Sequence, residues 1–126
     1  MSVLDASALL AYLLDEPGAE IVEEAIGEGA AISTVNLAEV LSKLADVGQE
    51  PGPAMDRLGV LPIEILPFDE VMAVGSATLR SPTASAGLSL GNRACLALAR
   101  RLGRRALTAD AAWLGLVPDL EIRVIR

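Results

Sequence analysis

Short apolar segments alternate with longer amphipathic ones along the whole chain, and this alternation restricts the fold more than any other feature. Turn residues such as glycine and proline separate each strand-length segment from the helical pattern that follows it. Strands and helices in this order form a parallel sheet with helices on both faces. We therefore predict one α/β domain over residues 1–126, with a loop at Ser81–Gly87 as its most mobile segment. The predicted strands are Ser2–Leu4, Ala30–Ile32, Ile63–Leu66, Arg105–Leu107 and Glu121–Ile125.

The composition indicates how such a domain is built and where it works. Aromatic residues make up only 2% of the chain, so the core has to consist of Ala, Leu, Val and Ile. No run approaches the roughly 18 apolar residues of a membrane span, and no basic region precedes an apolar one at the N-terminus. The single cysteine, Cys95, lies in an apolar helical pattern and is predicted to be a buried, reduced thiol. These features favour a cytoplasmic protein without a membrane partner.

The charge distribution leaves two interpretations open. A net charge of −7 and a pI of about 4.5 argue against nucleic-acid binding through bulk positive charge. Yet half of the ten basic residues fall in one short stretch, at Arg93, Arg100, Arg101, Arg104 and Arg105. These arginines form either a solvated helix face or a local basic patch, beside an acidic site, that holds a phosphate backbone.

Two of the predicted strands end close to an aspartate. Asp5 follows the first strand and Asp110 follows the fourth, and each also precedes a helical segment. One interpretation is helix capping, since an aspartate there accepts hydrogen bonds from free backbone N–H groups. The other is a shared site, because parallel strands deliver their carboxyl ends to one edge of the sheet. Carboxylates that converge repel each other, and a divalent cation with oxygen ligands relieves that repulsion.

Several catalytic classes are excluded by what the chain lacks. It contains no histidine, which excludes Ser–His–Asp and Cys–His catalysis, and it has neither a Walker-type loop nor a dinucleotide glycine fingerprint. Its only lysine, Lys43, lies in the middle of a predicted helix. The helical pattern alone places Glu39 on a solvated face, and Asn92 near the start of the predicted helix Leu90–Leu102 is typical of a capping or surface residue.

Four segments nevertheless resemble one family when they are taken together. The chain is similar to PIN-domain ribonucleases, and most of all to VapC-type toxins of bacterial type II toxin–antitoxin pairs. The resemblance extends over the whole chain, and four loose motifs in the same order make it specific. They are VLDASALL (Val3–Leu10), ISTVNLAEVL (Ile32–Leu41), GLSLGNRACLALA (Gly87–Ala99) and ALTADAAW (Ala106–Trp113).

This resemblance implies a PIN-like fold and a set of site residues. In the family, four acidic residues converge on Mg²⁺ or Mn²⁺ and support RNA hydrolysis, and the matching positions are Asp5, Glu39, position 92 and Asp110. Ser7 and Thr108 match polar positions that line the site. Metal-assisted hydrolysis needs no histidine, which agrees with the composition. Contacts between RNA phosphates and Arg93, Arg100 and Arg101 are also expected.

Position 92 departs from the family, where an aspartate is expected. The amide of Asn92 has nearly the same shape as a carboxylate but carries no negative charge. We therefore expect weaker metal binding and greatly reduced or absent cleavage in this chain. The resemblance further implies a VapB-type antitoxin that occludes the site, a homodimer, and transfer RNA or ribosomal RNA as the substrate class.

Two other functions stay open at this point. The first is a catalytically inactive PIN-like module that binds RNA or a protein, an alternative to which Asn92 gives weight. The second is a phosphoacceptor or phosphatase in which Asp5 is the nucleophile. That chemistry favours a second acid soon after the first, or a lysine at a later strand end. Position 7 is instead a serine, and Lys43 is badly placed for the role.

Overall fold

The computed structural model describes all residues from Met1 to Arg126. Five short strands alternate with helical segments, as the sequence predicts, and the chain forms seven α-helices. The strands are β1 (Ser2–Leu4), β2 (Ala30–Ser33), β3 (Ile63–Leu66), β4 (Arg105–Thr108) and β5 (Ile122–Val124). The helices are α1 (Ala6–Leu13), α2 (Ala19–Glu28), α3 (Thr34–Asp46), α4 (Pro51–Leu58), α5 (Glu70–Thr78), α6 (Arg80–Thr83) and α7 (Leu90–Leu102). No helix is both long enough and apolar enough to cross a membrane.

All strands pair in parallel, in the order β3-β2-β1-β4-β5. The N-terminal strand β1 is therefore central, and Leu4 of β1 lies in register with Leu107 of β4. This order places the ends of β1 and β4, which are far apart in sequence, side by side. The prediction of a parallel α/β sheet is confirmed.

Alternate residues of the strands enter two separate cores on the two faces of the sheet, as the two-residue period of a strand requires. Leu4 and Ile32 pack with α1 to α4 on one face. Val3 and Ala31 pack with α5 and α7 on the other. Trp113, the chain's only tryptophan, is fully buried in this second core. Ala97 of α7 faces Gly75 of α5, and these small residues let the two helices pack closely.

Polar residues form the N-caps of the helices that begin at the carboxyl edge of the sheet. Asp5 caps α1, Ser33 caps α3 and Ser89 caps α7, each by accepting a hydrogen bond from a backbone N–H group. A helix that follows a parallel strand has to begin at the edge where that strand ends. The capping residues and the candidate site residues therefore occupy the same edge.

The prediction of a loop at Ser81–Gly87 is wrong for residues 81–86. Residues 80–83 form helix α6, and residues 84–86 continue it as a 3₁₀ turn. The Thr83 hydroxyl is buried and donates to the Leu79 carbonyl oxygen at 2.7 Å. Proline and serine are tolerated here because they lie in the first turn, where backbone N–H groups have no helical partner.

Candidate active site at the carboxyl edge of the sheet

Asp5 is the only buried acidic residue of the chain, with 3% of its surface exposed. Its backbone N–H donates to Leu107 O of β4 at 3.1 Å, which ties the end of β1 to its neighbour. The side-chain Oδ1 accepts from the Ala8 N–H at 2.8 Å and from the Ser7 hydroxyl at 2.7 Å. Oδ2 accepts from the Thr108 hydroxyl at 2.7 Å. These hydrogen bonds hold the carboxylate in one orientation.

Thr108 links Asp5 to the second strand-end aspartate. Its Oγ1 accepts the Asp110 N–H at 3.1 Å while donating to Asp5. The Asp110 side chain is exposed, and its Oδ1 accepts the Ala112 N–H at 2.9 Å, so it caps the 3₁₀ turn after β4. Asp5 and Asp110 thus follow neighbouring parallel strands at one edge, where both act as caps.

Glu39 approaches the same edge from α3. It is half-buried, and its Oε1 accepts from Asn36 Nδ2 at 2.9 Å. Its carboxyl group packs against Gly91 of α7, where a side-chain methyl would lie 2.6 Å from both Cδ and Oε2. The solvated position that the helical pattern alone favours is therefore wrong, because the start of α7 covers this part of α3.

Asn92 lies in the first turn of α7, next to the glycine that contacts Glu39. Its Oδ1 accepts the Ser89 N–H at 3.1 Å, and Ser89 Oγ accepts the Asn92 N–H at 3.2 Å. This reciprocal pair is a capping box. The capping role suggested by the sequence is therefore confirmed, and Asn92 follows directly on the glycine that Glu39 packs against.

The electrostatic balance of this edge is negative and uncompensated. The pKa of Asp5 is raised, first by burial and further by the charge of Glu39, although hydrogen bonds from Ala8, Thr108 and Ser7 oppose the shift. No salt bridge of the chain includes Asp5, Glu39 or Asp110.

The same negative charges affect the pKa of the buried Cys95 thiol. Its side chain is fully buried and free, as predicted from the sequence. Burial raises the pKa of its thiol well above the usual range, and the charges of Asp5 and Glu39 raise it further. The thiol therefore stays protonated beneath the two carboxylates.

The four candidate ligands are of the kinds that a hard divalent cation prefers, but their carboxylates do not converge on one point. Asp5, Glu39 and Asp110 offer carboxylate oxygens and Asn92 offers an amide oxygen, which are the ligands that Mg²⁺ and Mn²⁺ favour. No three acidic or cysteine side chains are close enough together to form a metal site in this conformation. Asp110 faces the Ala112 N–H instead, so it has to turn inward to complete such a site.

Of the two interpretations of the clustered arginines, the structure favours a solvated helix face over a basic patch beside the acidic site. Helix α7 runs from the carboxyl edge of the sheet to the amino edge, so Arg100 lies about 12 Å along the axis from Asn92. Arg100 pairs with Asp119 at 2.9 Å and Arg101 pairs with Asp69 at 3.4 Å. Arg104 and Arg105 follow at the amino edge, where β4 begins.

Of the five clustered arginines, only Arg93 lies near the N-terminus of α7, at the carboxyl edge of the sheet. It is buried, and its NH1 donates to Ser76 O at 3.1 Å, in the last turn of α5. A cation at a helix C-terminus is favourable. The RNA contacts predicted for Arg93, Arg100 and Arg101 stay predictions.

Two residues of this site, Asn36 and Gly91, are absent from the sequence-based set. Asn36 is fully buried, and it lies one turn before Val40 and two turns before Leu44 on the buried face of α3. An amide within an apolar stripe is the signal that points to it. The sequence gives no comparable signal for Gly91. The Glu39 carboxyl group occupies the space next to this glycine, and that contact is seen only when α7 is packed on α3.

Comparisons with known proteins agree with this fold. The sequence matches the family model of the PIN domain over residues 2–115. Comparison with curated proteins finds no match. Among solved structures, a toxin–antitoxin complex from Klebsiella pneumoniae superposes with a TM-score of 0.77 at 19% identity, covering 100% of this chain and 98% of that chain. FitAcB from Neisseria gonorrhoeae gives 0.73 at 22% identity, with 99% and 98% covered. VapBC2 from Rickettsia felis, bound to a DNA fragment from their promoter, gives 0.71 at 17% identity, with 98% and 97% covered.

Proposed function

The chain belongs to the PIN-domain family, and from that premise we propose that it is a Mg²⁺- or Mn²⁺-dependent endoribonuclease of the VapC toxin type. Proteins of this kind are generally nucleases, and they generally use divalent metals. The observation that carries the proposal is that two strand-end or helix carboxylates, Asp5 and Glu39, lie at the carboxyl edge without a salt bridge, near enough for the charge of Glu39 to act on Asp5. In this proposal Asp110, which caps the 3₁₀ turn after β4, and position 92, in the first turn of α7, supply the further ligands.

Each residue of the proposed site has a separate role, either as a metal ligand or as a group that orients a ligand. Asp5 and Glu39 would hold the cation, and Asp110 and the Asn92 amide oxygen would complete its ligands from the rim. A bound divalent ion would lower the pKa of a ligand water and neutralise charge on the phosphodiester. The Ser7 and Thr108 hydroxyls donate to Asp5 and keep its carboxylate aimed at the edge. The substrate reaches the site without entering a closed pocket, since Asp110 is exposed.

Asn92 reduces this activity under the same proposal. With an amide at position 92, the edge carries three formal negative charges where the family pattern has four. Affinity for a hard cation depends on the number of charged ligands. Cleavage by the chain as it stands is therefore expected to be weak or absent.

An RNA cleavage assay tests the proposed function. Transfer RNA and ribosomal RNA are incubated with the Asn92→Asp chain in Mn²⁺, in Mg²⁺ and in EDTA, and the new 5′ and 3′ ends are mapped. We expect discrete internal cuts that depend on the metal and disappear in EDTA. An Asp5→Ala chain with the same Asn92→Asp change serves as the control for contaminating ribonucleases. Metal-independent cutting, or none, would overturn the proposal.

A binding module without catalysis is the second candidate, and Asn92 is the observation that favours it. An amide keeps the capping box intact while removing a charge from the edge. RNA binding that persists in EDTA, with no cleavage even after Asn92→Asp, would select this alternative.

The proposal includes a protein partner. The similar structures from Klebsiella pneumoniae and Rickettsia felis were determined as toxin–antitoxin or VapBC assemblies. We therefore expect a VapB-type antitoxin that covers the acidic edge, and a homodimer of the chain itself. Co-expression with the neighbouring open reading frame, followed by co-purification and inhibition of the cleavage assay, tests the partner.

Gly91→Ala is expected to disrupt metal binding without unfolding the chain. The new methyl would overlap the Glu39 carboxyl group, which is the far end of a flexible side chain and can move away. The overlap is offset by the higher helix propensity of alanine, about 1 kcal/mol. In the Asn92→Asp chain we expect the affinity for Mn²⁺ to fall at least about tenfold. A loss of this size is typical when a residue that supports a metal ligand is changed.

Gly27→Ala in α2 is the matched control for this substitution. Nothing lies within 4 Å of the methyl it adds. It is expected to leave Mn²⁺ affinity unchanged and to stabilise the chain slightly. Isothermal titration with Mn²⁺ and thermal unfolding check both variants, and unchanged affinity in Gly91→Ala would show that Glu39 does not depend on the glycine.

A further inference from the structure

The Asn36 side chain bridges the two helices that carry Glu39 and position 92. Its Nδ2 donates to Glu39 Oε1 on α3 at 2.9 Å and to Gly91 O on α7 at 2.9 Å. Both acceptors are oxygen atoms without a proton, so only the amide nitrogen can occupy this place. One NH₂ group thus sets the position of the Glu39 carboxylate relative to the start of α7.

The oxygen atom of the same amide makes no hydrogen bond in the folded chain. Asn36 is fully buried, and its Oδ1 has no hydrogen-bond partner. An unpartnered buried oxygen destabilises a folded protein. A leucine, which has the same branched skeleton of heavy atoms, would instead extend the apolar stripe of Val40 and Leu44. The stability of α3 therefore does not explain why an amide lies here.

We propose that Asn36 is a positioning residue for the metal site, because its amide holds Glu39 and the first turn of α7 at the separation that lets Glu39 and position 92 bind one cation. This inference rests on the proposed function and adds to it a residue outside the ligand set. Asn36 itself touches neither metal nor substrate. Its oxygen stays unpartnered because the nitrogen has to face both acceptors.

Metal titration of Asn36→Leu in the full-length Asn92→Asp chain tests the proposal. Mn²⁺ binding is followed by electron paramagnetic resonance, and the Tm is measured without metal. We expect Mn²⁺ affinity to fall at least tenfold while the Tm stays the same or rises. A purely structural asparagine would give the opposite result, with a lower Tm and unchanged affinity, and that result would overturn the proposal.

Leu44→Ala supplies the control for lost stability. Leu44 is buried on the same face of α3, two turns beyond Asn36, and contacts the core away from the site. We expect a lower Tm with unchanged Mn²⁺ affinity. If the Asn92→Asp parent itself bound no Mn²⁺, the proposed function would fail and this inference with it. If the parent bound Mn²⁺ and Asn36→Leu bound it equally well, only the inference would fail.

A nuclear magnetic resonance measurement on the metal-free, unsubstituted chain keeps the proposal testable should Asn36→Leu not fold. The side-chain NH₂ of Asn36 is expected to exchange with solvent much more slowly than that of half-buried Asn92. Its chemical shift is expected to change in Glu39→Ala. Exchange as fast as that of Asn92, or a shift insensitive to Glu39→Ala, would contradict the bridge.

Discussion

Asn92→Asp is expected to raise the affinity of the chain for Mn²⁺ by about 10- to 100-fold and to produce metal-dependent RNA cleavage. The substitution adds a full negative charge to the first turn of α7, one residue from the glycine that Glu39 packs against, without a change of shape. The capping box should persist, because an aspartate oxygen accepts the Ser89 N–H as the Asn92 oxygen does. The fold is therefore expected to be unaffected, and the effect should appear in metal binding and activity.

Gln49→Glu is the matched control for this change. It gives the same net charge, but at a position after the end of α3, away from the acidic edge, where Arg57 already donates to the side chain at 2.7 Å. We expect no change in Mn²⁺ affinity. Isothermal titration and the RNA assay check both variants, and equal affinity and equal activity in the original and Asn92→Asp chains would refute a metal-ligand role for position 92.

Asp5→Asn is expected to have opposite effects on activity and on stability. In the Asn92→Asp chain it removes the most buried carboxylate of the site, and cleavage should fall by about two orders of magnitude or more. The free energy of unfolding at neutral pH should rise by about 1 kcal/mol, because a neutral amide costs less to bury than a carboxylate. An amide oxygen still accepts the Ala8 N–H, so the cap of α1 is retained.

The sign of the pH dependence follows from the Asp5 pKa. Burial, with the charge of Glu39, raises that pKa in the folded chain, so the folded state prefers the protonated acid. The contribution of this group to stability is therefore lost as the pH rises from the unfolded-state pKa through the raised folded-state pKa. The gain from Asp5→Asn should be largest at neutral pH and should shrink as the pH falls below the unfolded-state value.

Asp69→Asn should show the reverse behaviour. Asp69 caps α5, and the hydrogen bond from the Met72 N–H, with the nearby Arg101, lowers its pKa. A lowered pKa contributes stability above the unfolded-state value, and that stability is lost as the pH falls through the folded-state pKa. Denaturant unfolding of both variants from neutral pH to about pH 3 separates the two cases. The same pH slope in the two variants would contradict the buried-carboxylate account.

The strand pattern and the two strand-end aspartates were accessible from the sequence. Short apolar segments at β1 and β4, separated by helical periods, predict a parallel sheet, and the carboxyl ends of its strands have to share an edge. Asp5 and Asp110 could be placed on that edge with no knowledge of a single tertiary contact. The resemblance to a family added Glu39 and position 92, which periodicity alone does not single out.

The segment at residues 81–87 shows why composition misleads where packing decides. Proline, serine and glycine suggested a mobile loop, yet Thr83 is buried and its hydroxyl bonds to the Leu79 carbonyl oxygen. The arginines of α7 show the same limit. Their clustering in sequence suggested a patch beside the site, but a helix of 13 residues carries its two ends to opposite edges of the sheet.

The sequence by itself determined the order of strands and helices and the edge at which Asp5 and Asp110 lie, because both depend on local periodicity and on the direction of parallel strands. Only the tertiary structure decided that Glu39 packs against Gly91 and that Asn36 donates to both. Those contacts join α3 to α7 across 55 residues of chain. A contact of that kind depends on the volume and hydrogen-bonding capacity of two surfaces that meet only after the sheet has formed.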